Sequence, residues 1–80
     1  MTLSEAIRTR ILTLCHERNI SPNKLCTISG ITQSTLNNIL NGRNKSTTVS
    51  TIKKLCDGLD ITLEMFFDSE QFRNLEQEVK

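Results

Sequence analysis

Residues 21–42, SPNKLCTISGITQSTLNNILNG, decide how this chain is read. Ser21 is a good N-cap, and Pro22 fits the first helical position, where a backbone N–H would have no intrahelical acceptor. Leu25, Cys26 and Ile28 are expected to turn inward. That helix should stop at Ser29 and Gly30, because glycine takes the left-handed C-terminal conformation without a Cβ clash. Thr32 then caps a further helix. At about 100° per residue with Gln33 as zero, Asn37 falls near 40°, Ser34 near 100° and Asn38 near 140°, while Ile39, Leu36 and Leu40 fall near 240°, 300° and 340°. The polar and apolar arcs separate. Solvent-facing helix surfaces are ordinarily built from Lys and Glu, whereas Ser and Asn cost helix propensity. An uncharged face of short amides and hydroxyls is therefore a face placed to hydrogen-bond something. Asn41 and Gly42 supply a second left-handed stop, and a short basic, hydroxyl-rich loop follows at 43–47.

Outward from this stretch, the chain continues in helical periods. A first helix is expected from an N-cap at Ser4 to about Asn19, with Ile7, Ile11, Leu14 and Cys15 forming one apolar stripe at i, i+4, i+7 and i+8. Thr48 caps a fourth helix with Val49, Ile52, Leu55 and Cys56 inward, and Gly58 with Leu59 closing it. Thr62 caps a brief fifth helix carrying Leu63, Phe66 and Phe67. Asp68 and Ser69 can start a last helix in which Phe72, Leu75 and Val79 recur at i, i+3 and i+7. No strand signal and no internal repeat is present. The reading is an all-α, compact five-helix domain over residues 1–67, with an acidic, optionally helical C-terminal extension at 68–80.

Eighty residues make one small core, with no room for a second lobe or a deep substrate cavity. An enzyme is not expected: there is a single His, no Ser-His-Asp set and no glycine-rich phosphate loop, and the carboxylates cluster on the tail without inward apolar neighbours to raise a pKa. The N-terminus lacks the apolar core of a signal peptide and no run approaches a membrane span, so a cytoplasmic protein is expected. Cys15, Cys26 and Cys56 form an odd set without a C-x-x-C pair, each where a helical pattern asks for a small apolar residue. They read as buried thiols rather than, with His16, a zinc site, since metal ligands come in close-spaced pairs. His16 should face solvent. No metal and no cofactor is implied.

Net charge is only +1, but its distribution is polar. Residues 1–54 carry eight basic against two acidic side chains, +6, and residues 55–80 carry two basic against seven acidic, −5. A basic body with an acidic tail can direct one face toward phosphate while the whole stays near neutral.

A helix, a tight glycine turn and a second helix with an uncharged polar face form a helix-turn-helix arrangement. To enter a major groove about 12 Å wide, such a helix needs side chains on its first turns that read base edges, as Gln and Asn do with adenine. Basic residues and free helix N-termini must flank it to hold phosphates. Gln33, Ser34 and Asn38 meet the first demand. Arg43, Lys45 and the N-termini capped by Ser21 and Thr48 meet the second.

Here the chain resembles the lambda-repressor and Cro type of helix-turn-helix domain, the Xre family, from about residue 6 to residue 67. The signposts are ISPNKLC, SGITQSTLNNILNG, TVSTIKKLCDGLDI and TLEMFF. The resemblance implies a five-helix domain that binds operator DNA as a homodimer and inserts its third helix into the major groove. Gln33, Ser34, Thr35 and Asn38 fall on positions that approach bases or phosphates in that family. Asn41, Arg43 and Lys45 fall on its backbone-touching loop, and Thr32 and Asn37 flank the reading set. Pro22 stands where the family often has a phosphate-contacting Gln and cannot make that contact, which passes the role to Asn23 or Lys24. Cys15 and Leu40 stand where the family often pairs an Arg with a Glu. Both are apolar together, so no buried charge is orphaned.

The function that follows is a sequence-specific DNA-binding transcriptional regulator, a repressor in the first instance. Two rivals stand beside it: an antitoxin or phage-type repressor with a protein partner, and a helical protein-interaction module that no longer binds DNA.

Overall fold

The computed structural model describes residues 1–42 and 47–79, and these form helices and no strand. In order they are α1 (Leu3–Arg18), α2 (Pro22–Ser29), α3 (Gln33–Leu40), α4 (Val49–Leu59), α5 (Leu63–Phe67) and the short α6 (Glu70–Arg73). The all-α expectation holds, including a sixth helix, but its details differ at both ends of the chain.

Helix α1 begins on Thr2 rather than Ser4. The Thr2 hydroxyl accepts the Glu5 N–H at 3.2 Å, while the Glu5 carboxylate accepts the Thr2 N–H at 3.0 Å. This capping box needs a carboxylate or amide three residues after the cap; Thr2 has Glu5 there, whereas Ser4 has Ile7. The Thr2 backbone N–H, and then its hydroxyl, hold the Glu5 carboxyl below its ordinary range. Helices α2 to α5 start as expected, on Ser21, Thr32, Thr48 and Thr62, each hydroxyl accepting the N–H three residues on at 3.1 Å.

Three helices end in one way. Asn19 after α1, Gly30 after α2 and Asp60 after α4 take left-handed φ of 54°, 69° and 57°. The following Ile20, Ile31 and Ile61 donate their N–H groups back to the carbonyls of Cys15, Cys26 and Cys56 at 3.0, 3.3 and 3.0 Å. These six-to-one bonds satisfy carbonyls that a helix end would otherwise leave open. Each isoleucine then packs in or against the core.

The α1 stripe of Ile7, Ile11, Leu14 and Cys15 is buried, and with Leu25, Leu36, Leu55 and Phe66 it forms one contiguous core. All three cysteines are free and buried, as the bland reading of them required. Leu40 is half-buried and packs against the core that contains Cys15, so neither position leaves a buried charge.

Three expected positions are corrected. Ile28 is 38% exposed. Leu25 and Cys26 define an inward direction about 50° round from Leu25, and on that wheel Ser29 falls near 40° but Ile28 near 300°. Ser29 therefore points in. Val49 is 65% exposed, because a side chain at the first helical position leans beyond the packed body of its helix; the buried set starts a turn later at Ile52. Leu59 is the last residue of α4, as expected, but Gly58 is not its stop: Asp60 takes the left-handed cap, and Gly58 lies within the helix against α2.

The tail also differs. Phe72 docks, its ring centroid 4.9 Å from that of Phe67 and 6.0 Å from that of Phe66. Beyond Arg73, however, the helix stops, leaving Leu75 and the 87% exposed Val79 outside it. Ser69 supplies no capping bond, and the Asn74 amide bonds the Glu70 carbonyl at 3.4 Å. Glu76 and Glu78 would also sit at the negative end of any longer helix, where the dipole opposes them. The tail instead folds back, the Glu76 N–H donating to the Met1 carbonyl at 3.0 Å.

Candidate nucleic-acid interface

The turn that launches α3 is built from the end of α2. Gly30 holds φ 69°, its N–H and that of Ile31 converge on the Cys26 carbonyl, and Thr32 caps the next helix two residues later. The path from scaffold helix to third helix is thus fixed by backbone hydrogen bonds rather than by side-chain chance.

On α3, Gln33 and Ser34 occupy the first two positions and are exposed, and Asn37 is exposed one turn on. Asn38 is half-buried at the edge of the same face. Among the described residues none of these four side chains has a hydrogen-bond partner, so their amides and hydroxyl are open to an incoming ligand. Leu36 and Ile39 anchor the opposite side in the core. The structure thus brings Gln33, Ser34, Asn37 and Asn38 together as a polar face with an apolar root.

Thr32 and Thr35 are different. The Thr32 hydroxyl accepts the Thr35 N–H at 3.1 Å and shares a 2.8 Å bond with the Thr35 hydroxyl. Their oxygens are engaged in starting α3, with Thr35 half-buried. Asn41 caps the far end, its N–H donating to the Asn37 carbonyl at 2.8 Å. Asn23 lies on the first turn of α2, and its carbonyl accepts the Thr27 hydroxyl at 3.2 Å. Since Pro22 has no N–H and Ser21 takes that of Lys24, the Asn23 N–H is the first-turn donor that α2 still offers. Arg43 and Lys45 lie outside the described residues.

Sequence reasoning counted Arg10 in the basic body, but its guanidinium is already occupied. Its Nε and a terminal nitrogen each donate at 2.7 Å, to the carbonyls of Phe66 and Met65 at the end of α5. Lys53 is likewise paired with Asp57 one helical turn on. Arg8, Arg18, Lys24 and Lys54 have no ion pair among the described residues, so the positive field available to a polyanion comes from fewer groups than the raw count. Arg10 was legible only as a polar residue one position before Ile11 on a buried stripe, which hinted that its stem would be partly covered.

The model of the Cro/C1-type HTH DNA-binding domain family matches residues 10–70, most of the chain. The chain belongs to the Cro/C1-type helix-turn-helix family. Among solved structures it is similar to the crystal structure of the prophage Lp1 protein 11, with 32% identity, a TM-score of 0.83, and coverage of 94% of this chain and 99% of that one. No curated protein shows significant similarity to it. A Cro/C1-type domain is a DNA-binding module of transcription regulators, and the polar face of α3 in this one carries amide and hydroxyl side chains without a hydrogen-bond partner among the described residues. No described helix is long and apolar enough to cross a membrane.

Proposed function

We propose that this Cro/C1-type protein is a cytoplasmic transcriptional repressor that binds a roughly palindromic operator as a homodimer and inserts α3 into the major groove. The observation that carries the proposal is the polar, unpartnered face of exposed Gln33, Ser34 and Asn37 and half-buried Asn38 on a helix whose other side is rooted in the core. Gln33 and Asn38 have the amide geometry for adenine, and Ser34 can bond base or phosphate. Thr32, Thr35, Asn41, Arg43, Lys45 and Asn23 are assigned to the phosphate backbone around it. Residues 1–67 form the DNA-binding unit and residues 68–80 its acidic extension. The prophage origin of the structural neighbour supports a phage-type regulator, with a protein partner as the accompanying possibility.

Selecting bound duplexes from a random pool tests this directly. Two half-sites about 10 bp apart are expected, one helical turn, so that both reading helices meet the same groove face. Gln33→Ala should weaken binding by about 1–3 kcal/mol at one base position, whereas Arg43→Ala should weaken all sequences alike and flatten the salt dependence. Failure to bind any duplex at low salt, or identical behaviour of the two variants, overturns the assignment.

A further inference from the structure

The acidic tail lies beside the end of the proposed reading helix. After α6 the chain turns back, with the Glu76 N–H bonded to the Met1 carbonyl at 3.0 Å and the Glu76 carboxylate 3.4 Å from the N-terminal ammonium. Glu76, Gln77 and Glu78 then share the wall of a cleft of about 590 Å³ with Arg8 of α1 and with Ile39 and Gly42 at the end of α3. Gly42 is the residue directly before Arg43. The acidic tail thus shares one cleft with the end of α3 and with Arg8, and Glu5 of α1 adds a third carboxylate to its wall.

From this placement we propose that residues 74–79 are an autoinhibitory arm, an internal polyanion that competes with DNA phosphate at the end of α3. The proposal rests on the DNA-binding reading given above. The tether suits such a role. Among the described residues its polar contacts are one backbone hydrogen bond and an ion pair whose carboxylate is 66% exposed, and exposed pairs of this kind hold weakly and are screened by salt. The arm can therefore be displaced by a duplex, which offers many phosphates where the arm offers two carboxylates. While docked it lowers the local positive potential, so weak non-specific encounters are suppressed more than a fully formed operator complex.

The test is duplex binding by the full chain carrying Glu76→Gln and Glu78→Gln, against the unaltered chain, at low and at physiological salt. Non-specific duplex should bind the double variant about 3- to 10-fold more tightly at low salt, with the gain shrinking as salt rises. A charge-matched control, Glu17→Gln with Glu64→Gln, removes two carboxylates that do not line the cleft and should gain less. Equal affinities of the Glu76/Glu78 variant and the unaltered chain at low salt overturn the arm, as does an equal gain in the control. If the unaltered chain binds no duplex at all, it is the DNA-binding reading that fails instead.

Discussion

Replacing Gly58 by alanine tests how tightly the scaffold under α3 is packed. Gly58 lies inside α4, where it faces the end of α2, and α2 and α4 make the most extensive helix contact in the molecule. A Cβ at this position would sit 3.0 Å from both the carbonyl carbon and the carbonyl oxygen of Ile28, and closer still to the Ser29 hydroxyl. Propensity alone favours the change by about 1 kcal/mol, since glycine is a poor interior helix residue. Overpacking against backbone opposes it by about 1–3 kcal/mol, because a helix carbonyl cannot rotate away as a side-chain end can. The balance is a net loss of about 1 kcal/mol, which in an 80-residue domain lowers Tm by about 4–8 °C.

Ser29 supplies the internal control. Its hydroxyl is buried and has no hydrogen-bond partner, so Ser29→Ala removes a desolvated polar group and the nearest obstacle together. Ser29→Ala alone should raise stability by about 1 kcal/mol. In that background Gly58→Ala should cost less, giving a coupling of at least about 0.5 kcal/mol in urea melts of the four proteins. Operator affinity should fall for Gly58→Ala and recover only in part in the double variant, because α2 carries the turn that aims α3 and the Ile28 backbone contact remains. A Gly58→Ala protein as stable as the parent, or strict additivity with Ser29→Ala, would refute the close approach as the reason for glycine here.

Two further outcomes follow, one from the half-buried Arg10 and one from the buried thiols. Arg10→Met keeps an apolar stem but opens the Met65 and Phe66 carbonyls, so stability should fall by about 1–3 kcal/mol, with faster amide exchange confined to α5 and α6; a change below about 0.5 kcal/mol would show that water serves those carbonyls equally well. Burial pushes the thiols of Cys15, Cys26 and Cys56 up from the ordinary value of 9.0. A pKa raised by folding means the native state holds its protons more tightly than the unfolded chain, so this stability is complete below pH 9.0 and is lost as pH climbs through the folded values. The urea midpoint should stay level to about pH 8.5 and fall toward pH 10, less steeply in Cys56→Ala, and a level midpoint up to pH 10 would contradict the burial of the thiols.

What could be read from the sequence divides along physical lines. The starts of α2 to α5 were legible because each rests on one local rule, a hydroxyl accepting an N–H three residues on. The face of α3 was legible because its apolar and polar arcs do not overlap. Errors came where a residue's fate depended on a partner element. Hydrophobicity alone draws Ile28 inward, whereas the wheel centred on Leu25 and Cys26 places Ser29 there. Gly58 was taken as a stop signal because its real cause, the backbone of α2, is distant in sequence. Arg10 was counted as surface charge, since the two carbonyls it serves lie more than fifty residues away. The tail showed helical spacing, but spacing does not carry a short helix whose capping bond is missing and whose last carboxylates oppose its dipole.

The odd cysteine count, which offered no disulfide and no metal, has a structural explanation that the sequence displays in plain view. CHERNI, CTISGI and CDGLDI each run from a cysteine to an isoleucine five residues later. In each, the cysteine carbonyl accepts the isoleucine N–H around a left-handed residue, Asn19, Gly30 or Asp60. The cysteine belongs in the last turn because its small apolar side chain can be buried there while the chain reverses over it. The isoleucine returns the next segment to the core. One such reversal leads from α1 into α2, one from α2 into α3, and one from α4 into α5. The orientation of the polar face of α3, the face proposed to read bases, is therefore set by Cys26, Gly30 and Ile31, which need touch no DNA. Substituting Gly30 by a residue that resists φ 69° should consequently weaken operator binding while Gln33, Ser34 and Asn38 remain chemically intact.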